Sequence, residues 1–174
     1  MGYDYRADPV LAGALAYWRQ KRNGRAMPSR RDIDPSEIPR LLPHLQLIDI
    51  VRDRFRYRLI GTALVDAYGK NYTGQFVDEL SDQARSQFIS KIYSTVVETR
   101  RPGFLRSRYV TTKGIKLVAN RLYLPLSEND RELNMILGAA TFEFDTLASL
   151  AGAWGSARLA TSGSELEMVD VDSS

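Results

Sequence analysis

The chain has 174 residues, of which 44% are hydrophobic and 26% are charged, and its formal net charge at pH 7 is +3. These values are typical of a globular protein with one core of roughly 100–150 residues and flanking segments. Cysteine is absent and His44 is the single histidine. This inventory excludes disulfides, thiolate nucleophiles, Cys-ligated zinc and multi-histidine metal sites, so we expect no metal centre.

Location and charge distribution give two further expectations. No apolar run approaches the ~18 residues that a membrane helix needs, and the N-terminus has no apolar signal core, so we expect a cytoplasmic protein without a membrane span. Residues 1–60 carry 12 Lys/Arg against 7 Asp/Glu, whereas residues 143–174 carry 1 against 6. The basic front and the acidic tail can attract each other or serve different partners, although two solvated faces also explain them.

The first predicted element is a helix over residues 8–22. Asp8 can cap it, Pro9 suits its first position, and Asn23-Gly24 ends it. Its apolar stripe is formed by Leu11, Leu15 and Trp18. A stripe of this kind packs either on its own domain or on a second copy, so these residues are also candidates for a dimer helix.

A short helix and a hairpin follow. Asp34 and Pro35 predict a helix start, with Glu37 as the capping-box acid, and Pro43 ends this segment. Strands are predicted at residues 45–51 and 55–59, joined by a tight turn. Alternation in the second strand places Phe55, Tyr57 and Leu59 on a buried face and Arg54, Arg56 and Arg58 on the other face.

The middle of the chain is helical. Gly61-Thr62 opens a short helix that ends at Gly69, and Ser81 is predicted to cap the longest helix, which reaches about Arg100 before Pro102. The buried stripe predicted for this helix consists of Phe88, Ile89, Ile92, Tyr93, Val96 and Val97.

Three more strands are predicted at residues 104–111, 116–126 and 134–144, with neighbours in sequence paired. The fold class is therefore α+β, with a five-stranded antiparallel sheet, helices on one face and an N-terminal helical extension. We divide the chain into an extension at residues 1–39, a domain at 40–145, and an Ala/Gly/Ser-rich, then acidic tail at 146–174. This tail is expected to be partly disordered from about Thr161.

This order of elements resembles the PAS fold, and short motifs add to the resemblance. They are Tyr17-Trp18, Pro28-Ser29-Arg30-Arg31-Asp32-Ile33-Asp34-Pro35, Leu41-Leu42-Pro43-His44-Leu45, Tyr57-Arg58-Leu59-Ile60-Gly61-Thr62, Tyr68-Gly69, Thr73-Gly74 and Leu124-Pro125-Leu126-Ser127. Together they resemble one PAS-like family of short alphaproteobacterial proteins, formerly catalogued as a domain of unknown function, over residues 15–144. The resemblance implies a PAS fold and a regulatory role, and it supplies no catalytic residues to carry over.

A PAS domain can hold a ligand between the long helix and the sheet. The candidate walls are Tyr57, Leu59, Leu64, Tyr68, Phe88, Ile92, Val118, Asn120 and Leu122. Asn120 is the polar member, because a buried amide needs hydrogen-bond partners that a ligand can provide. The register of the fourth strand stays open, since Leu117, Ala119 and Tyr123 form a rival apolar face.

The cofactor is unknown, and two PAS cofactors are disfavoured. Haem commonly needs an axial histidine from the long helix, and residues 81–101 contain none. A cysteinyl-flavin adduct needs a cysteine that the chain lacks. Noncovalent flavin, a metabolite and an empty core all stay open, with the empty core as the default.

The arginines of the second strand predict a partner-binding face. Arg54, Arg56 and Arg58, together with Arg106 and Arg108 on the third strand, suggest a basic outer sheet face for an acidic protein partner or an anionic ligand. A face of solvated arginines explains the same pattern.

We therefore expect a bacterial, stand-alone PAS-type sensory module that is not an enzyme. Its expected output is contact with a signalling protein or a homodimer, with a small ligand in the core as an option. One alternative is a nucleic-acid binder using Arg19, Lys21, Arg22, Arg25, Arg30 and Arg31, but no helix-turn-helix supports it and the acidic tail opposes it. The other is a small-molecule enzyme on an α+β cone, for which no convincing acid–base pair is present.

Overall fold

The structure, a computed structural model, describes residues 3–111, 116–144, 157–159 and 164–170. The helices are α1 (Pro9–Arg22), α2 (Thr62–Tyr68) and α3 (Gln83–Thr99). The strands are β1 (Leu45–Val51), β2 (Arg54–Ile60), β3 (Gly103–Thr111), β4 (Lys116–Leu126), β5 (Met135–Phe144), β6 (Ala157–Leu159) and β7 (Glu165–Met168). The predicted order of helices and strands up to residue 144 is confirmed.

Helix α1 begins and ends where the sequence predicts. The Asp8 carboxylate accepts hydrogen bonds from the backbone N–H groups of Val10 at 2.9 Å and Leu11 at 3.2 Å, which satisfies two donors that the helix leaves unpaired. At the other end Asn23 adopts a left-handed conformation with a φ of 45°, which ends the helix.

Two predicted caps differ from the structure. Helix α3 is capped by Asp82 and not by Ser81, because the Asp82 carboxylate accepts from the Arg85 N–H at 3.0 Å. The segment after Asp34 forms only a three-residue 3-10 helix, Pro35–Glu37. The Glu37 carboxylate does not cap it and instead accepts a 2.7 Å hydrogen bond from the Tyr17 hydroxyl of α1.

The five central strands form an antiparallel sheet in the order β2-β1-β5-β4-β3, which confirms the predicted fold class. Within the described residues, β6 and β7 add to the outer edge of β3, against residues 109–111 and 103–106 respectively. The acidic tail thus contributes a strand at 165–168, where the sequence favoured disorder. The unpaired edge of β3 offers the backbone hydrogen bonds that order this segment.

Both faces of the sheet are covered by helices. Helices α2 and α3 pack on one face, here called the inner face, and α1 packs on the opposite, outer face. The N-terminal extension predicted at residues 1–39 therefore shares a core with the sheet. The prediction that the helices lie on one face of the sheet holds for α2 and α3 but not for α1. In the described part of the chain no helix is both long enough and apolar enough to cross a membrane.

A β-bulge changes the predicted faces of β2. Leu59 pairs with Leu47 and Tyr57 pairs with Ile48, so Arg58 is an extra residue in the ladder. The alternation shifts by one position at this point. Leu59, predicted as a buried pocket wall, is 46% exposed, and Ile60 takes the buried position.

The register of β4 follows the rival pattern. Leu117, Ala119 and Tyr123 belong to the inner core under α3, whereas Leu122 and Leu124 belong to the outer core under α1. The face predicted from Asn120 and Leu122 is therefore wrong. Alternation could not decide this register, because both faces of β4 are buried and both are apolar.

Candidate functional site

The inner face of the sheet carries a cationic side chain inside the domain. Arg121 of β4 is 5% exposed, and its Nη1 donates a hydrogen bond to the Tyr109 hydroxyl of β3 at 3.1 Å. The guanidinium also lies 5.5 Å from the centre of the Tyr109 ring. Arg121 lies on this face because Ala119 and Tyr123, its neighbours at two residues' distance, face the inner core.

Several hydroxyl groups lie on the same side of the sheet. We call the set the inner polar cluster, and it consists of Arg121, Ser107, Tyr57, Tyr68, Tyr93, Tyr109 and Tyr123. Ser107 of β3 is fully buried, and its Oγ has no hydrogen-bond partner among the described residues. An unpaired buried hydroxyl is uncommon in folded proteins, and it marks a place where a further polar group can bind.

The backbone around Arg121 carries small side chains. Arg121 pairs with Ala140 on β5, and Ser107 pairs with Ala119 on β4. These alanines are buried in the inner core. Small side chains at these positions leave the space above the sheet to the long side chain of Arg121 and to the tyrosine rings.

Burial and neighbouring side chains together set the ionisation of this cluster. Burial by itself lowers the pKa of Arg121, but the neighbouring Tyr109 and Tyr123 outweigh it and raise the pKa above its ordinary value, so the guanidinium stays charged. Burial raises the pKa of Tyr57 to about 12 and that of Tyr93 well above its usual range. At neutral pH the charged Arg121 therefore shares the inner face with the neutral phenols of Tyr57, Tyr93 and Tyr123.

Aromatic contacts hold α3 over the cluster. The Tyr93 ring of α3 lies edge-on to Tyr123 of β4 with a centroid distance of 5.3 Å, and edge-on to Phe55 of β2 at 5.2 Å. Tyr93 is 1% exposed. Pairs of this geometry stabilise a helix–sheet contact beyond the apolar area that they bury.

The predicted pocket walls divide between the two faces. Tyr57, Leu64, Tyr68 and Ile92 are buried in the inner core, and Phe88 packs against it partly buried. Val118, Asn120 and Leu122 lie on the outer side of β4, and Leu59 lies at the surface. The prediction missed Arg121, although a charged residue within the apolar run of residues 117–126 was the available signal.

Asn120 has a structural partner on the outer face. Its Nδ2 donates to the Glu143 carboxylate at 2.6 Å, and Arg106 Nη2 donates to the same carboxylate at 3.0 Å. The Arg106 guanidinium also lies over the ring of Tyr3, 4.9 Å from its centre. Asn120 is therefore bonded to β5 on the outer face, and it does not face the core under α3.

The predicted basic face is divided between two ends of the sheet. The order of strands places β1, β5 and β4 between Arg56 and Arg58 on β2 and Arg106 and Arg108 on β3. At ~4.8 Å per strand this separation is about 19 Å. Arg54 is engaged by Asp78 and Glu79 at 2.7 Å each. The two arginine groups thus form separate surfaces.

The apolar stripe of α1 is used within the chain. Leu11, Leu15 and Trp18 are all buried in the outer core against the sheet. Of the two roles that the sequence left open for this stripe, packing on its own domain is the one seen here. A dimer built on these side chains would require α1 to leave the sheet.

Comparison with known protein families identifies the fold family of the chain. The family described as PAS domain matches residues 7–141, and the chain therefore belongs to the PAS domain family. The PAS domain from Bordetella pertussis BvgS is 22% identical with a TM-score of 0.46, and the match covers 62% of this chain and 85% of that one. A PAS domain of a Colwellia psychrerythraea protein is 12% identical with a TM-score of 0.45, covering 64% and 98%. No curated protein matches the chain.

Membership in the PAS family supports a sensory or regulatory role at the level of the family.

Proposed function

We propose that this PAS domain is a regulatory module that binds a small organic anion at the inner polar cluster and transmits its state through contact with a protein partner. The observation that carries the proposal is the fully buried Ser107 hydroxyl, which has no hydrogen-bond partner among the described residues and lies on the same sheet face as the buried, charged guanidinium of Arg121. A carboxylate can accept hydrogen bonds from both groups.

A carboxylate matches the donors of the cluster. A guanidinium presents parallel N–H groups that bind both oxygens of a carboxylate. The hydroxyls of Ser107 and Tyr109 add neutral donors, and the tyrosine rings provide apolar walls. We therefore infer a small carboxylic acid as the ligand class.

The position of Arg121 on β4 supports a route from the core to the outer face. Arg121 and Asn120 are neighbours in sequence, so their side chains lie on opposite faces of one strand. Asn120 contacts Glu143 on the outer face, and β4 also accepts a hydrogen bond from Trp18 of α1. A ligand that shifts Arg121 therefore acts on the strand to which the N-terminal helix is attached.

A thermal-shift series with mono-, di- and tricarboxylic acids tests the sensing step. At a concentration 100 times its Kd, a ligand stabilises the folded state by about 2.7 kcal/mol, which raises Tm by roughly 5–10 °C for a chain of this size. Arg121→Met should abolish the rise. Arg106→Met should keep it, because Arg106 lies on the adjacent strand but on the outer face.

Native mass spectrometry of the purified protein complements this series by showing a bound acid directly. The proposal fails if none of the acids raises Tm, or if a bound acid is retained equally by the wild type and the Arg121→Met variant.

A further inference from the structure

We propose that a surface pocket at the β2 edge of the sheet binds an acidic, partly apolar segment of a partner protein. The proposal rests on the regulatory role proposed above and deepens it by naming a docking surface and the chemistry of the partner. The pocket measures about 310 Å3, and its lining includes the side chains of Arg30, Asp49, Arg56, Arg58 and Leu59. We call it the arginine pocket.

Three parts of the chain build the arginine pocket. Arg30 comes from the 3-10 helix Arg30–Asp32, which precedes the sheet in sequence. The β1–β2 hairpin supplies Asp49, Arg56, Arg58 and Leu59, together with Leu47 and Tyr57. Thr73 and Gly74 line it from the loop after α2. The Gly74 N–H donates to the Tyr57 carbonyl oxygen at 2.6 Å, which ties this loop to β2.

The charges of the pocket favour an anionic partner. Asp49 has a side chain only 10% exposed, and it accepts from Arg56 Nη2 at 2.8 Å with Arg58 Nη1 at 3.6 Å. Arg30 Nη1 donates to the Ile33 carbonyl oxygen at 3.0 Å. Three guanidinium groups against one carboxylate leave an excess of two positive charges in the lining. The single carboxylate holds two of the arginines side by side, so their positions are set before a partner arrives.

The bulge adds an apolar surface beside these charges. Because Arg58 is the extra residue of the ladder, Leu59 turns outward and is 46% exposed. Bulges commonly re-aim a side chain near a functional surface. A partner segment that places an apolar side chain on Leu59 and a carboxylate between Arg30 and Arg58 matches both parts of the pocket.

The surroundings limit the partner to a short segment. Next to the pocket Asp78 and Glu79 occupy Arg54, so the basic surface ends there and does not suit a long polyanion such as nucleic acid. The acidic strand β7 of the chain pairs with β3, at the far side of the five central strands. The occupant that fits is therefore an acidic segment of another protein.

Fluorescence anisotropy with a labelled eight-residue peptide of alternating acidic residues and leucines tests the proposal. We expect binding that weakens about tenfold in Arg58→Gln, because one charge-assisted hydrogen bond is lost. Leu59→Ser should weaken binding about threefold, and replacing the acids of the peptide by their amides should abolish it. Arg31→Gln is the matched control with less than a twofold effect, since Arg31 has a side chain 89% exposed and lies outside the pocket.

Three outcomes overturn the proposal. The first is that the peptide does not bind below millimolar concentration, and the second is that Arg31→Gln and Arg58→Gln lose equal peptide affinity. The third is that a single-stranded oligonucleotide binds more tightly than the peptide in an Arg58-dependent manner. Circular dichroism of each variant confirms that it is folded. The peptide assay contains no small carboxylic acid, so an absence of peptide binding would refute the docking surface and leave ligand sensing untouched. If the thermal-shift series fails while the peptide still binds, ligand sensing is refuted and the docking surface stands.

Discussion

The indole Nε1 of Trp18 donates a hydrogen bond to the carbonyl oxygen of Pro125 at 2.8 Å, and this bond joins α1 to β4. Trp18 is 1% exposed, so both the ring and the bond are shielded from water. The N-terminal helix is therefore attached to the strand that carries the inner polar cluster on its other face.

Removal of this bond should destabilise the protein. Trp18→Phe keeps a ring but leaves the Pro125 oxygen unpaired, which should lower the free energy of unfolding by about 1–3 kcal/mol. Trp18→Ala should lower it by about 3–5 kcal/mol. Urea denaturation measures both, with Gln20→Ala on the exposed side of α1 as the control. A Trp18→Phe variant as stable as the control would show that the bond contributes nothing.

Acidification should weaken the attachment of the N-terminal segment through Asp8. Burial raises the pKa of Asp8, but hydrogen bonds from Thr141 at 2.5 Å, from Tyr3 at 2.7 Å and from two backbone N–H groups outweigh it and lower the pKa below its ordinary value. The stabilisation is present above the unfolded pKa of about 4 and is lost as the pH falls through the lower folded pKa.

The corresponding measurement is stability against pH. Between about pH 5 and pH 2 the wild type should lose more stability than Asp8→Asn, which lacks the titrating group but still caps the helix. Asp53→Asn, at the exposed β1–β2 turn, serves as the control. Identical pH profiles for the wild type and Asp8→Asn would contradict this assignment.

Two glycine-to-alanine substitutions should have opposite effects. A Cβ on Gly61 would lie 2.3 Å from the Leu42 carbonyl oxygen and 2.4 Å from that of Pro43, so Gly61→Ala must move backbone and should destabilise the protein by several kcal/mol. Gly13 lies inside α1, where a Cβ meets Leu41 at an ordinary 3.4 Å. Gly13→Ala should stabilise the protein by about 0.5–1 kcal/mol. Thermal denaturation of both variants checks the sign of each effect.

Alkaline conditions should destabilise the inner polar cluster. Since burial raises the pKa of Tyr57 to about 12, the unfolded chain loses the Tyr57 proton near pH 10 and the folded chain does so later. The contribution to stability is complete below about pH 10 and falls by up to about 1.4 kcal/mol per pH unit towards pH 12. Tyr57→Phe should show a shallower decline than the wild type in denaturant titrations from pH 9 to pH 11.5. Tyr72→Phe, with a partly exposed ring, serves as the matched Tyr-to-Phe control.

Much of the architecture could be predicted because it depends on local features. The cap and end of α1, the β1–β2 hairpin and the long helix before Pro102 follow from capping residues, turn residues and apolar spacing. The candidate site was predicted only in part. Tyr57 and Tyr68 lie in the inner core under α3, and Ile92 faces that core from α3 itself, while their role as ligand walls stays a prediction. Arg121 was overlooked, and Asn120 was assigned to the wrong face.

The amino-acid sequence by itself determined the three α-helices, the five central strands and the apolar faces of the helices, since those properties depend on neighbours a few residues apart. The tertiary structure decided what each apolar face meets. Helix α1 packs Trp18 on the outer face of the sheet, so both faces of β4 are buried. Both faces therefore carry mostly apolar residues, and alternation could not decide the register of β4. The tertiary structure also decided where the bulge at Arg58 lies, because the register between β1 and β2 depends on contacts made across the whole sheet.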